Sequence, residues 1–354
     1  MVRTLRVVNF RCWDVLALEM LEMGGIFVGE NAQGKTSILE AVCVLLRLQS
    51  PRTHKLGSMV RFSQLGFGVA GEAWSMERKV RYNKGGLLCE VNEEARATSS
   101  SYLHDGGLVV WMGNEDLELV RGAGETRRRY LDFMGVQWHP EYRSHWSRYR
   151  RALKMKNALL KERHIDEKQL AAVEELMIES GEPLAHLRGQ MITMLETWAN
   201  ESHQAVSGGG ESLSLRYQSA GSISMRASLA QAHDRERRVR QSVIGPHRDD
   251  LLLHLNGLPA SEFASEGQQR TLALALKLAQ GILLQQEGTR MPVYLLDDIF
   301  GELDAGRRNA LMHALPPQAQ KWITTTSLDW LRENDAYQRL PQFQVAAGKV
   351  TSLH

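Results

Sequence analysis

The sequence predicts an α/β fold in which a phosphate-binding head is interrupted by a long, mainly α-helical lobe. Three observations carry that prediction. Residues Gly29-Glu30-Asn31-Ala32-Gln33-Gly34-Lys35-Thr36 match the phosphate-loop pattern G-x-x-x-x-G-K-[ST] in full. Far downstream, Val293-Tyr294-Leu295-Leu296-Asp297-Asp298 is an apolar strand ending in two carboxylates. Between them, from Arg127 to about Asn200, apolar residues recur at helical spacing. The head is therefore assigned to residues 1–125 with 241–354, and the inserted lobe to 126–240.

Taken from the start, 4–8 and 15–20 read as a hairpin, and Gly25 to Val28 as a short buried strand leading into the loop. Gly29 and Gly34 let the backbone turn where a Cβ would clash, so successive N–H groups converge on one concave nest. Ser37 to Leu48 is apolar at helical spacing, which puts a bound polyphosphate at a helix N-terminus, where unpaired amides and the dipole favour anions. In this pattern Lys35 reaches the β- and γ-phosphates and the Thr36 hydroxyl sits on Mg²⁺. Gly29 through Ser37 are thus the expected nucleotide contacts, with ATP and Mg²⁺ as the ligands.

After a polar break at 50–55, strand-like segments follow at 66–74, 79–82, 87–91 and 108–112, read together as an antiparallel region. The lobe then reads as two long helices folded back on each other, broken near 162–166 and closed by Ser207-Gly208-Gly209-Gly210. Residues 212–218 alternate like a strand, and 227–240 form a polar helix with Arg235, Arg237, Arg238 and Arg240. The C-terminal part returns to α/β: strand 250–255, helix 267–286, strands 292–297 and 322–326, and an edge strand within 343–350.

Composition narrows the class. With 354 residues, 43% of them hydrophobic, the chain can build two globular units. Cys12, Cys43 and Cys89 show no C-x-x-C spacing, which argues against a disulfide framework or a zinc site and fits a reducing cytoplasm. Neither a signal-peptide core nor an apolar run of membrane-spanning length is present, so a soluble, cytoplasmic protein without a membrane partner is expected. Net charge is only +2, yet between Arg121 and Arg163 twelve Lys or Arg face four acids. That local excess suits a phosphate backbone, and Arg127, Arg128, Arg129, Arg148, Arg150, Arg151 and Lys154 are the candidate DNA contacts.

Asp297 closes its strand where a metal carboxylate is needed, and Asp298 is placed to polarise the attacking water. Between loop and metal strand, Ala264-Ser265-Glu266-Gly267-Gln268-Gln269-Arg270 opens a helix. It is similar to the L-S-G-G-Q signature of ABC-type ATPases, although Ser265 with Gln268 is also an ordinary capping box. Gly301-Glu302-Leu303-Asp304 resembles the D-loop of that superfamily. The order of these pieces around a long insertion resembles the SMC-like branch of ABC ATPases. It implies that Ser265, Gly267, Gln268 and Asp304 face the nucleotide of a second copy, so that ATP drives a homodimer.

Over its full length the chain resembles the RecF family of bacterial recombination-mediator ATPases. The residues that carry this are Asn9-Phe10-Arg11, Glu115-Asp116-Leu117, Arg127 to Asp132, Gly245-Pro246-His247-Arg248-Asp249-Asp250 and the stretches already named. Asn114 stands where the family usually has proline. Thr324-Thr325-Thr326-Ser327 stands where transporter ATPases carry a switch histidine, which implies slow hydrolysis. The resemblance implies binding to gapped DNA at junctions of single and double strands, with RecR and RecO as partners in loading RecA. The competing readings are an SMC-like chromosome-structure head, for which the insertion is short, and a small-molecule kinase, in which Ser265 has no role.

Overall fold

The computed structural model describes residues 1–353 apart from 54, 222, 223, 289 and 334. Residue 54, inside the expected polar break, thus lies outside the described residues. The chain divides into two compact units, 1–116 with 284–354, and 117–283.

The first unit begins with β1 (Thr4–Phe10), β2 (Trp13–Glu19), β3 (Gly24–Val28) and α1 (Lys35–Arg47), then β4 (Gly66–Ala73), β5 (Met76–Asn83), β6 (Gly86–Val91), β7 (Glu94–Ala95), α2 (Ser99–His104) and β8 (Val109–Gly113). The second unit holds α3 (Glu118–Arg121), α4 (Gly124–Trp138), α5 (Pro140–Leu159), α6 (Glu167–Ser207), β9 (Leu213–Gln218), α7 (Met225–Val239), β10 (Asp250–Leu255), β11 (Leu258–Pro259) and α8 (Ala260–Phe263). It also holds most of α9 (Glu266–Glu287). The chain then adds β12 (Val293–Asp297), α10 (Ala305–Ala314), β13 (Lys321–Thr325), α11 (Asp335–Gln338), β14 (Gln342–Ala346) and β15 (Lys349–Ser352) to the first unit.

Two sheets build the first unit. One is antiparallel in the order β2-β1-β4-β5-β6-β7, and β4 alternates buried and half-buried residues along its length, as a strand with one covered face does. The other runs β15-β14-β3-β13-β12-β8 and is parallel except for β15. Its strands β3, β8 and β13 are buried at every residue, the pattern of a sheet covered on both faces. This corrects two expectations. Residues 108–112 do not join the antiparallel region: β8 pairs in parallel with β12, Leu296 opposite Met112 and Asp297 opposite Gly113. The closing segment is a hairpin, with β14 parallel to β3 and the turn taken by Ala347 and Gly348 at positive φ.

In the second unit the helical spacing is realised as α4, α5 and the 41-residue α6, with 160–166 as the break between α5 and α6. Gly208 ends α6 in the left-handed conformation at φ 84, a geometry that favours glycine. Residues 241–283 were expected in the head, whereas they lie with the lobe. The reason is long-range pairing: β10 runs antiparallel to β9 from Asp250↔Gln218 to Leu255↔Leu213, and Tyr130 of α4 donates its hydroxyl to the Leu276 carbonyl of α9. Leu131, Met134, Met191, Leu195, Leu251 and Leu276 share one buried core there.

Candidate nucleotide site

The site is built at the C-terminal ends of β3 and β12. Gly34 caps α1 at φ 96, and it supplies no side chain to bond the first-turn amides; no acid stands in that turn either. A first turn without a side-chain cap is the arrangement that an anionic ligand uses. A Cβ at Gly34 would meet Cys12 Sγ at 2.5 Å and the Trp13 ring at 3.1 Å, while the Trp13 Nε1–H donates to the Gly34 carbonyl. A Cβ at Gly29 would lie 2.2 Å from the Val345 carbonyl oxygen. Both glycines are therefore required by close approach. Gln33 accepts from the Ala347 N–H through Oε1, tying the loop to the β14–β15 turn.

Lys35 folds its ammonium back onto the carbonyls of Gly29 (2.7 Å) and Glu30 (2.8 Å). Burial pulls its pKa down, while Asp298 and Asp297 work the other way. Thr36 donates to Asp297 Oδ1 at 2.8 Å, and so does Thr324 at the end of β13. The Thr324 hydroxyl also accepts from the Asp298 backbone N–H at 3.0 Å, so one threonine holds the Asp297 carboxylate and the Asp298 backbone. Asp298 sits at φ 52, in the left-handed region that an aspartate tolerates better than most side chains. Burial raises the pKa of both acids; Lys35 partly offsets this at Asp298, and Glu302 adds to it. Asp298 Oδ1 is buried without a hydrogen-bond partner among the described residues.

Cys12, Asn31 to Ser37, Arg52, Asp297 and Asp298 line a cavity of about 320 Å³. These residues fit a magnesium nucleotide. Oxygen donors from Thr36 and Asp297 stand side by side, and their 2.8 Å separation is close to the ~2.9 Å between neighbouring oxygens around an octahedral Mg²⁺. Lys35 and Arg52 bring positive charge to the same cavity.

With this geometry in hand, the relatives are informative. A RecF from Geobacillus kaustophilus, named a DNA replication and repair protein, is 33% identical over 98% of this chain and 98% of its own. One from Lactococcus lactis is 33% identical over 99% and 98%. The chain belongs to the RecF family. No family model matches it. Among solved structures, the recombination mediator protein RecF-ATPrS of the RecFOR pathway aligns with TM-score 0.89 and 26% identity, covering all of this chain and 98% of that one. An Smc head bound to the C-winged helix domain of ScpA aligns at TM-score 0.56 and 14% identity, a likeness of fold alone.

Other residues expected to act in this RecF-family chain fall elsewhere. Ser265 and Gln268 form the capping box: the Ser265 N–H donates to Gln268 Oε1 at 2.8 Å, and the Gln268 N–H to Ser265 Oγ at 3.3 Å. Ser265 is exposed and Gly267 half-buried, both in the second unit, whereas the phosphate loop is in the first. Asp304 is exposed and caps α10 by accepting from the Arg307 N–H, which with the Arg307 side chain holds its carboxyl below the usual range.

The candidate DNA contacts divide. Arg127 grips Asp250 through two bonds (2.8 and 2.7 Å) and the Gly122 carbonyl, and Arg128 donates to the Asp249 carbonyl, so both are spent inside the unit. Arg129 pairs with Glu125 one turn back on α4. Arg148, Arg150, Arg151 and Lys154 are exposed on α5, Arg150 lying over the Trp146 ring.

The Gly245–Asp250 stretch is an internal brace. Arg188 donates to the Pro246 carbonyl and to Asp132, the Tyr149 hydroxyl meets His247 Nδ1, and Asp249 accepts from Tyr217 and from the Ala220 N–H. Burial drives His247 down to about 4, so it is neutral here. Thr324 and Arg52 are the site residues that sequence reasoning left without a role. Thr324 could have been found only by its place at the end of the strand next to the metal strand.

Proposed function

We propose that this chain is an ATP-dependent DNA-binding protein of recombinational repair and replication restart. The observation that carries the reading is the Thr36–Asp297 contact at the uncapped start of α1, which joins the phosphate loop to the metal strand. Around it, the α1 amides and Lys35 hold the phosphates, and Thr36 and Asp297 hold Mg²⁺. When bound, that ion neutralises charge on the β- and γ-phosphates. Asp298, with one oxygen that has no hydrogen-bond partner among the described residues, takes the water to be activated, and Thr324 holds the Asp297 carboxylate and the Asp298 backbone.

The first unit serves as the ATPase head, and the second carries the signature. Ser265, Gly267, Gln268 and Asp304 complete the nucleotide site of a second copy, so ATP drives a homodimer that holds gapped DNA at a single/double-strand junction. Slow hydrolysis releases it. By linkage, ATP favours the dimer by as much as the dimer binds ATP more tightly than the monomer does. RecR and RecO are the partners in RecA loading, in the cytoplasm, which is consistent with the described residues containing no helix long and apolar enough to cross a membrane.

The test is sedimentation velocity with ATP, ADP or no nucleotide, with and without a gapped duplex, on the unaltered chain, Lys35→Ala and Ser265→Arg. The reading expects a dimer with ATP alone, lost in both variants, that binds the duplex better than the monomer. A chain that binds ATP yet stays monomeric, with Ser265→Arg indistinguishable from it, would make the capping box the whole role of Ser265.

A further inference from the structure

The signature helix is anchored by a side chain from outside it. Gln268 accepts from the Ser265 N–H with Oε1, and its Nε2 donates to Glu211 Oε1 at 2.6 Å. The other Glu211 oxygen meets Nε2 of His203, a ring fully buried in the last turns of α6. Burial pulls His203 down from its ordinary pKa, so the neutral ring's Nε2–H serves as donor.

The Glu211 backbone is pinned as well. It follows the Gly208–Gly210 turn, whose three residues all have positive φ, and precedes Ser212, whose N–H donates to Asn256 Oδ1. Two further bonds lock α6 to β9: the Leu213 N–H to Asn200 Oδ1 at 2.9 Å and the Leu215 N–H to Glu196 Oε1 at 3.0 Å. The end of α6, Glu211 and the start of α9 thus form one hydrogen-bonded body within the second unit.

We propose that Glu211 is a positioning residue for Ser265: it holds the Gln268 amide in the one orientation that accepts from the Ser265 N–H, and so fixes the backbone that carries the serine hydroxyl. The amide of Gln268 can satisfy both contacts in only one flip state, with nitrogen on Glu211 and oxygen on the Ser265 N–H. Independently of the amide, Ser265 Oγ accepts from the Gln268 backbone N–H, and its own O–H has no acceptor among the described residues. The proton is free to be donated to an anionic oxygen, and in the proposed dimer that is the γ-phosphate held by the other copy. Because His203 backs Glu211 from α6, the long lobe helix and the nucleotide-facing serine are set by the same carboxylate. This rests on the role of Ser265 proposed above.

The experiment compares the full chain with Glu211→Ala, Glu211→Gln and Ser265→Arg. The readouts are the ATP-dependent dimer dissociation constant by sedimentation, ATP affinity below the dimerising concentration, and melting temperature. Losing one charge-assisted bond raises the dimer constant of Glu211→Ala about tenfold. Glu211→Gln keeps an acceptor oxygen and stays within about twofold of the unaltered chain. Monomer ATP affinity is the same in all; melting temperature falls in Glu211→Ala, which strands the buried His203 N–H, and returns in Glu211→Gln. If Ser265→Arg abolishes the dimer while Glu211→Ala dimerises normally, the positioning role is overturned and the signature reading survives. If Ser265→Arg dimerises normally, both fall. If Glu211→Ala loses melting temperature and Glu211→Gln does not rescue the dimer, Glu211 is a residue of the fold alone, and the inference is overturned.

Discussion

The Thr36 hydroxyl donates to Asp297 Oδ1 at 2.8 Å across 261 positions of sequence. One residue opens α1 and the other closes β12, and the bond fixes the end of β12 to the phosphate loop. The same oxygen of Asp297 accepts from Thr324, so the carboxylate reaches the site already oriented by two hydroxyls. Preorganisation of this kind spares a bound ion the work of ordering its ligands.

Thr36→Ala and Asp297→Asn should therefore separate two contributions. If Thr36 holds Mg²⁺ as proposed, Thr36→Ala removes one ligand and leaves Asp297 with Thr324, so ATP affinity in Mg²⁺ falls about tenfold while affinity in EDTA is unchanged. Asp297→Asn removes the anionic ligand, and the Mg²⁺ dependence of binding disappears. Titration calorimetry with and without Mg²⁺ checks both, and equal losses in the two conditions would mean that Thr36 does not face the ion.

Asp298 gives a prediction with a sign. Its folded pKa is raised by burial, so its ionised form costs stability in the nucleotide-free chain. A raised folded pKa contributes stability that is fully present below the unfolded value of 3.8 and is lost as pH rises through the folded value. Above that window Asp298→Asn should melt higher than the unaltered chain, by roughly 1–3 °C because the group is partly solvated. Asparagine keeps the left-handed φ without new strain. The gain should vanish as pH falls towards 4. Melting curves at pH 4 and pH 7.5 decide it, and a variant that melts lower at pH 7.5 refutes the buried-charge account.

How much of this was legible depended on whether a residue's partner was near in sequence. The phosphate loop, α1 and the helical stripe of α6 rest on local patterns, and they stand where those patterns put them. What the pattern of 108–112 could not say is that its neighbour would be β12, because a short buried strand reads alike in either sheet. The run Arg127 to Arg129 reads in sequence as candidate DNA contacts, yet Arg127 finds Asp250 123 positions away. Thr324 acts through a bond to Asp297 that no spacing rule encodes.

That division of the basic run is testable. Arg127→Ala leaves a half-buried Asp250 without its bidentate partner and should cost about 2 kcal/mol of stability. Arg148→Ala, Arg151→Ala and Lys154→Ala combined lie on the exposed face of α5 and should leave melting unchanged. If that face meets duplex phosphates, the triple variant flattens the dependence of log K on log salt by about 0.9 per lost contact. Binding measured at several salt concentrations gives the slope, and an unaltered slope would move the DNA surface off α5.

Arg52 is the final case, and its charge has two claimants. Glu40 is fully buried, and both its oxygens are already served: Arg11 donates at 2.7 and 2.9 Å, and Ser50 at 2.6 Å. Arg52 stands farther off at 3.7 Å with its side chain half exposed, on the wall of the nucleotide cavity. The pair with Glu40 is thus worth little, below about 1 kcal/mol, and the guanidinium is free to serve a phosphate. Arg52→Ala should keep its melting temperature and lose about tenfold in ATP affinity. Arg11→Ala should do the reverse in kind, destabilising the fold by about 3 kcal/mol because it strands a buried carboxylate on α1. Paired melting and ATP titration of the two variants separate brace from ligand, and an Arg52→Ala chain that binds ATP normally would assign Arg52 to the Glu40 brace.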